Sequence, residues 1–401
     1  MAAIVTTKFR IYAAQKFISG LSDNLSNNNI YVFIGKTLPW TDDNIPDIPT
    51  DVVLDHINNW TKIFHLKRLS ASNCSLVIPR YNWISGTVYQ EYDDSIDLFD
   101  PELALKPFYI ITDEFNVYKC LYNFGNSPSF VKPTGTSIKV ISTADKYQWK
   151  FMFNVNSADA QRFLTDQWIP VKELLISDGS KQFDVQQAAI PGIIDIIKVI
   201  DGGSGYVSAP NITITGDGIN ATAISEIKNG KIININITNK GSGYNNAVVV
   251  AESGQITSIL LTNPGSNYVS PPNISFEGGS GSGAEAICTI SNGAIDLITI
   301  TKAGSGYVTI PSVIFNAGDA TANAIISGGS ELRAIISPPG GHGSDPVSEL
   351  GGFFALMNVQ LAYNEGGFNV NNDFRKIGLI LNPKKWNSNL FATATTYIQA
   401  Y

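Results

Sequence analysis

Charge, cysteine and histidine are all scarce in this chain, and each scarcity removes a class of function. Charged residues make up 15% of the 401 positions, well below the roughly 25% of an ordinary soluble domain. Part of the surface is therefore expected to be covered by partners. The 27 basic residues are outnumbered by 34 acidic ones and are scattered; the nearest approach to a cluster is Lys62 with Lys67-Arg68. A phosphate-binding surface needs grouped Lys and Arg, so nucleic acid and anionic membrane are excluded as main partners. Cys74, Cys120 and Cys288 lie far apart without C-x-x-C spacing, which excludes a disulfide framework or a cysteine zinc site and leaves small packing residues in a reducing compartment. His56 and His65 miss the i, i+4 spacing of a zinc helix, and His342 sits alone in Gly340-Gly-His-Gly. No apolar run approaches the roughly 20 residues of a membrane span. Lys8 and Arg10 interrupt the only N-terminal apolar stretch, so no secretory signal is read there. The chain is expected to be made and kept in the cytoplasm, or to leave it as part of an assembly.

What is abundant points to β structure. Hydrophobic residues reach 44%, aromatics 10%, and there are 35 glycines, enough apolar surface for real cores and enough turn residues for many short strands. The length implies two or three domains. Helical spacing appears in three places: 7–20, with Phe9, Tyr12, Ala13 and Phe17 on one side; 50–65, with Thr50 or Asp51 as cap and Val53, Ile57 and Trp60 in line; and 157–165, capped by Ser157. Strands are read at Ile30–Gly35, in a hairpin of 108–112 with 116–122, and at 147–154. In the last, Tyr147, Trp149, Phe151 and Phe153 face an aromatic core and Lys150 and Met152 face away.

The middle of the chain is a repeat. Gly203-Ser-Gly-Tyr206, Gly241-Ser-Gly-Tyr244, Gly265-Ser-Asn-Tyr268 and Gly304-Ser-Gly-Tyr307 are four copies of one turn, with tyrosines 38, 24 and 39 residues apart. Three are followed by proline, an alternating strand and an Ala-x-Ala segment; the 24-residue copy has lost that middle part. Each unit is too short to bury its own apolar face, so the units are expected to stack on one another. Gly205, Gly243, Gly265 and Gly306 are assigned the positive-φ or close-approach positions of the turns, and Tyr206, Tyr244, Tyr268 and Tyr307 the covers over them. Residues 193–337 are taken as one inserted β-repeat domain, and 1–192 with 338–401 as its discontinuous host.

Signals for chemistry are weak. The run Gly278-Gly-Ser-Gly-Ser-Gly283 lacks the Lys-Ser/Thr of a phosphate loop and opens no helix. Glu91-Tyr-Asp-Asp-Ser-Ile-Asp-Leu-Phe-Asp100 is the best candidate cation site, but it lacks calcium-loop order and reads as a solvated or partner-facing loop. The repeats carry several carboxylates with no sign that two converge. No catalytic residue, metal ligand or cofactor is assigned.

Outside the repeat, six segments resemble, in order, the baseplate wedge subunit called gene product eight in T-even-type contractile bacteriophages: Ile4–Arg10; Pro39-Trp-Thr41 with Pro49-Thr-Asp51; Val77–Trp83; Val117–Leu121; Tyr147–Phe153; and Phe374–Pro383. The resemblance implies a layered antiparallel β-sandwich with helices carried in loops, and no catalysis. It also implies a homodimer that docks other baseplate wedge proteins and a fibre-attachment protein, in a virion tail baseplate assembled in the host bacterial cytoplasm. Residues 193–345 have no counterpart in the family pattern, and that pattern continues past the segment matching Asn382-Pro383, so the closing strands are expected to differ. A second reading stays open beside it: tyrosines and Asn-rich turns on a β scaffold are suited to stacking on sugar rings, which would make the repeats a host-glycan module.

Overall fold

The computed structural model describes residues 5–21, 29–46, 48, 50, 52–100, 103, 105–206, 208–252, 254–307, 309–359, 374–385 and 387–398. Strands dominate, and every strand pair is antiparallel. Three helices lie where the spacing places them: α1 (Thr7–Gly20), α2 (Val53–Thr61) and α3 (Ser157–Phe163). Their details differ from the sequence reading. Asn156, not Ser157, caps α3 by accepting from Asp159 N. Val52 precedes α2 without a side-chain cap, and Asp51 lies outside the described residues. In α1 the inward stripe is Ile11 with Ala14 and Ile18, while Phe9 and Tyr12 are more than half exposed. That helix carries two apolar stripes, and the one with the smaller side chains faces the core. Two further helices, α4 (Lys181–Gln187) and α5 (Pro346–Leu350), are too short to show a period.

Up to residue 171 the chain forms β1 (Ile30–Gly35), β2 (Ile63–Arg68), β3 (Cys74–Pro79), β4 (Tyr109–Ile111), β5 (Asn116–Tyr122), β6 (Ile141–Ser142), β7 (Gln148–Asn154) and β8 (Trp168–Val171). The hairpin is β4–β5, and β5 continues onto β7 with Cys120 opposite Trp149. Trp149 and Phe151 pack with Tyr89, Tyr118 and Tyr147 on one face of β7. The other face is covered too, contrary to the alternation: Met152 packs with Ile78, Ile169, Val171 and Val347, and Lys150 is 6% exposed. A polar–apolar alternation reports polarity, and here a long lysine stem lies under a second layer.

The repeat supplies β9 (Ile194–Ser204), β10 (Ile212–Gly216), β11 (Ile219–Lys228), β12 (Lys231–Ser242), β13 (Ala247–Ala251), β14 (Ile256–Asn263), β15 (Ile274–Glu277), β16 (Ser282–Ser291), β17 (Ala294–Ser305), β18 (Ser312–Phe315), β19 (Thr321–Ile326) and β20 (Gly328–Ile336). The units do not stack as a solenoid. They pair two by two. One pair forms a six-stranded sheet in the order β14-β19-β18-β15-β16-β17. Its edges meet where Ile295 N donates to Pro264 O at 2.9 Å, so the sheet curls toward a small closed barrel. The Ala-x-Ala strands turn Ala284, Ala286 and Ala324 inward, where their small size leaves room for Phe276, Ile300, Tyr268 and Tyr307.

The other pair repeats the scheme: β9 pairs β20, β10 pairs β13, and β11 pairs β12. Strand β13 lies beside β20, and β12 beside β9. At that last seam a Cβ on Gly202 would overlap the Ile232 carbonyl. This explains the 24-residue copy. Its third strand is not lost. The chain leaves after β13, builds the β14–β19 barrel, and returns as β20 to fill the vacant place. The two stems match. Ser327 N donates to Gln255 O at 2.9 Å and its hydroxyl accepts from Gln255 N at 3.2 Å; Ser337 N donates to Ile193 O at 2.9 Å and its hydroxyl accepts from Ile193 N at 3.1 Å.

Because the β14–β19 barrel leaves and returns at one point, its excision should spare the rest. Joining Ala251 to Gly328 through a short Gly/Ser linker is expected to give a soluble chain whose remaining β signal and melt match the parent. Aggregation of that chain would show that the barrels depend on each other.

The chain ends with β21 (Phe354–Met357), β22 (Lys376–Leu381) and β23 (Thr396–Ile398). These complete two of the three host sheets, β22-β1-β2-β23 and β21-β3-β8; the third, β4-β5-β7-β6, is made without them. Strand β22 falls within the last resembling segment and pairs with β1; the strand left open by the resemblance is β23, which pairs with β2. Tyr31 of β1 is fully buried and donates to Ala394 O at 2.6 Å.

Candidate functional site

The four tyrosine turns superpose in every feature that the sequence singles out. Their first position is left-handed at Gly203, Gly241, Gly265 and Gly304 (φ 63°, 63°, 68° and 64°). Their third is left-handed at Gly205, Gly243, Asn267 and Gly306 (φ 75°, 77°, 61° and 77°). Asn is the non-glycine residue that best tolerates this region, which accounts for the one departure from Gly-Ser-Gly-Tyr. Gly265 therefore corresponds to the first glycine of the other copies.

The tyrosines are buried, with Tyr206, Tyr244, Tyr268 and Tyr307 between 4% and 8% exposed. Their backbone amides are tied reciprocally. Tyr206 N donates to Gly230 O at 3.1 Å and Tyr244 N to Gly192 O at 3.0 Å; Tyr268 N donates to Gly293 O at 2.9 Å and Tyr307 N to Gly254 O at 3.2 Å. Each acceptor glycine opens the first strand of the partner unit, so each barrel is clasped twice by the same bond. The rings cover the partner unit's inner turn: a Cβ on Gly218 would overlap Tyr244, one on Gly281 would overlap Tyr307, and one on Gly318 would overlap Tyr268. Tyr206 instead reaches β20, where its hydroxyl bonds Ser330 Oγ at 3.0 Å. A sugar ring stacks on an exposed aromatic face, and these rings offer none.

The second constellation was not legible in the sequence. Lys119 of β5 is fully buried, with Nζ 2.9 Å from Glu349 Oε2 and 3.2 Å from His342 Nδ1. The other Glu349 oxygen accepts Gly343 N at 2.7 Å. Asp195 of β9 pairs with Lys240 through Oδ1, and its Oδ2 lies 3.5 Å from His342 Nε2. The Tyr92 ring sits 4.1 Å from Lys119 Nζ and edge-on to His342. Beside this core, Lys198 binds Glu91 at 2.6 Å and Asp93 at 2.9 Å, and Arg333 bonds Asp93 and also Asp94 at 2.7 Å. Leu121, Ile196 and Ile335 fill the apolar part of the same contact. The acidic stretch is therefore neither a cation site nor a solvated loop over 91–94. It holds the β9–β20 barrel to the host.

Burial disfavours the charged form of these groups, and neighbours decide the outcome. Burial and then the Lys119 cation push His342 below its ordinary value. Burial lowers the Lys119 ammonium, partly offset by Glu349. Glu349 is raised by burial but more strongly lowered by Lys119 and His342, and ends at about 2. Asp93 likewise ends well below the carboxylate range, with Arg333, Ser95 and Lys198 outweighing burial.

Little here is arranged for catalysis. A cavity of about 720 Å³ is lined in part by Asp97, Asp345 and Glu349, but each carboxylate is engaged. Asp97 receives Phe99 N and the Thr7 hydroxyl, Asp345 caps α5, and Glu349 holds Lys119. Among the described residues no group of three His, Cys, Asp or Glu is placed to hold a metal. His65 and His342 are buried, and the His56 side chain lies outside the described residues. Cys74, Cys120 and Cys288 are free and buried, as packing residues would be. No helix among the described residues is long and apolar enough to cross a membrane.

Comparison with known proteins bears on the first quarter of the chain. Residues 3–101 match the family described as "Bacteriophage T4, Gp8". The baseplate wedge protein gp8 of Enterobacteria phage T4 is 31% identical over 86 residues, which is 20% of this chain and 26% of that protein. The chain thus aligns with about a quarter of the length of that curated relative. The match contains α1, β1, α2, β2 and β3 and the first three resembling segments; the barrels lie outside it.

Proposed function

We propose that this chain is a structural subunit of a phage tail baseplate wedge, without enzymatic activity. The observation that carries the reading is the match of residues 3–101 to the Gp8 family. Those residues build α1, α2 and three strands that the end of the chain then completes through β21, β22 and β23. Under this reading the host sheets, residues 1–192 and 338–401, form the wedge body. The barrels, residues 193–337, are an insertion fixed to that body by the charged joint. The subunit forms a homodimer, docks other wedge proteins and a fibre-attachment protein, and works in the baseplate of a contractile tail after assembly in the host bacterial cytoplasm. Its task is to hold neighbours in place, which needs interface area rather than a pocket. The glycan-binding alternative loses its physical basis with the burial of all four tyrosine rings.

A phage genome deleted for this chain tests the reading. Particles should lack complete baseplates in the electron microscope. Morphologically intact virions that merely fail to adsorb would favour a host-binding role and overturn the proposal.

A further inference from the structure

The Lys119–Glu349 contact has a geometry that an ion pair does not require. Both side chains are shut off from solvent, at 1% and 3% exposure, with Nζ and Oε2 2.9 Å apart. The carboxylate is also held from its other oxygen: Oε1 accepts Gly343 N at 2.7 Å and Asp345 N at 3.4 Å. Backbone donors converging on one oxygen are what stabilises the negative charge that develops on an attacked carbonyl. On the amine side, His342 Nδ1 lies 3.2 Å from Nζ, and its Nε2 lies 3.5 Å from Asp195 Oδ2. Nucleophile, base and a carboxylate that orients the base thus stand in line. Burial and the Lys119 cation hold the His342 pKa down, so the ring is neutral at pH 7 and Nδ1 can take a proton. Lys150, opposite Lys119 in the β5–β7 ladder, is tied instead to Ile138 O at 2.6 Å.

We propose that Lys119 and Glu349 join in an intramolecular isopeptide bond, with His342 as the base and Gly343 N and Asp345 N as the oxyanion donors. It is one self-directed event per chain, not turnover. Burial disfavours charge on both partners, so a proton transfer across the contact brings the neutral amine and carboxylic acid within reach. The nitrogen attacks Glu349 Cδ, the C–N bond forms, and the C=O electron pair moves onto Oε1. His342 Nδ1 takes the proton that the nitrogen gives up and passes it to Oε2, 3.8 Å away. Oε2 leaves as water when the C=O re-forms. Ammonium and carboxylate thus become amide and one water, and no oxidant or second substrate is needed. The fixed contact supplies the effective concentration that amide formation otherwise lacks, and exclusion of solvent protects the product from hydrolysis. Before the bond forms, the pair is the ion pair of the joint; afterwards neither group titrates, and His342 and Asp93 carry the joint's response to pH. The bond closes a loop containing both barrels, since 193–337 lies between its ends, so a pull on the barrels cannot draw α5 away from β5.

The test is the intact mass of the full chain, denatured after incubation in the folded state, followed by a peptide map. The parent should weigh one water less than its unlinked chain, and the digest should contain the Lys119 peptide joined to the Glu349 peptide. Lys119→Arg and Glu349→Ala should each carry the full mass of their sequences. A parent at full mass after days in the folded state would overturn the proposal, and so would a missing water that maps elsewhere. The parent measurement needs no variant, so it stands even where a substitution prevents folding. His342→Gln keeps a hydrogen-bonding side chain beside Nζ and should slow bond formation on the order of a hundredfold, the usual worth of a general base. Bond formation in that variant at the parent rate would overturn the part assigned to His342.

Discussion

Tyr307→Ala is expected to destabilise the β14–β19 barrel by roughly 3–4 kcal/mol, the cost of deleting a large buried ring whose site cannot collapse. The ring is 4% exposed and lies against Gly281, and its backbone amide holds Gly254 at the barrel stem. Tyr244→Ala should do the same to the other barrel, where Gly218 and Gly192 take the equivalent places. Gly281→Ala approaches the same result from the opposite side, since its Cβ would occupy the ring's position. Thermal melts and retention on host polysaccharide should be measured on the same variants. Lost retention with an unchanged melt would restore the glycan reading and remove the structural one.

Lys119→Met should be as damaging, at about 3–5 kcal/mol, because it removes the ammonium 2.9 Å from the Glu349 carboxylate and leaves that carboxylate buried without its cation. Glu349→Gln removes a charge from the same pair but keeps a hydrogen-bonding side chain, and should cost less. The joint also predicts acid sensitivity. His342 is held below its ordinary 6.5, so as pH falls past that value the unfolded chain takes up a proton that the native chain refuses, and stability drops. Glu349 and Asp93 are held below their ordinary 4.5 and 3.8, so their contribution is complete above those values and is lost as pH falls further toward their native values. Melts of the parent between pH 7 and pH 4 should decline, and His342→Gln should flatten the upper part of that decline. A flat parent profile would contradict the assignment of the joint.

Much of the fold was legible because it is local. The Gly-Ser-x-Tyr turns state their own φ requirements, and the β4–β5 hairpin and α1 to α3 follow from spacing. What escaped depends on residues distant in sequence. Strand β20 pairs with β9 across the entire second barrel, so no period in the sequence marks the nested insertion. Asp93 meets Lys198 and Arg333 more than 100 residues away, and an acidic run looks the same whether it faces water or a hidden cation. Burial of Lys150 required knowing that a second layer covers β7. The inward stripe of α1 was missed for a different reason: Phe9 and Tyr12 are the larger side chains, and hydrophobicity alone assigns them inside.

The most direct test of the whole account is a reconstruction of the assembled tail at a resolution that separates β-sheets. The account predicts the host sheets within the baseplate wedge, with two adjoining six-stranded barrels projecting from them. Finding this chain outside the baseplate, or absent from the particle, would contradict it.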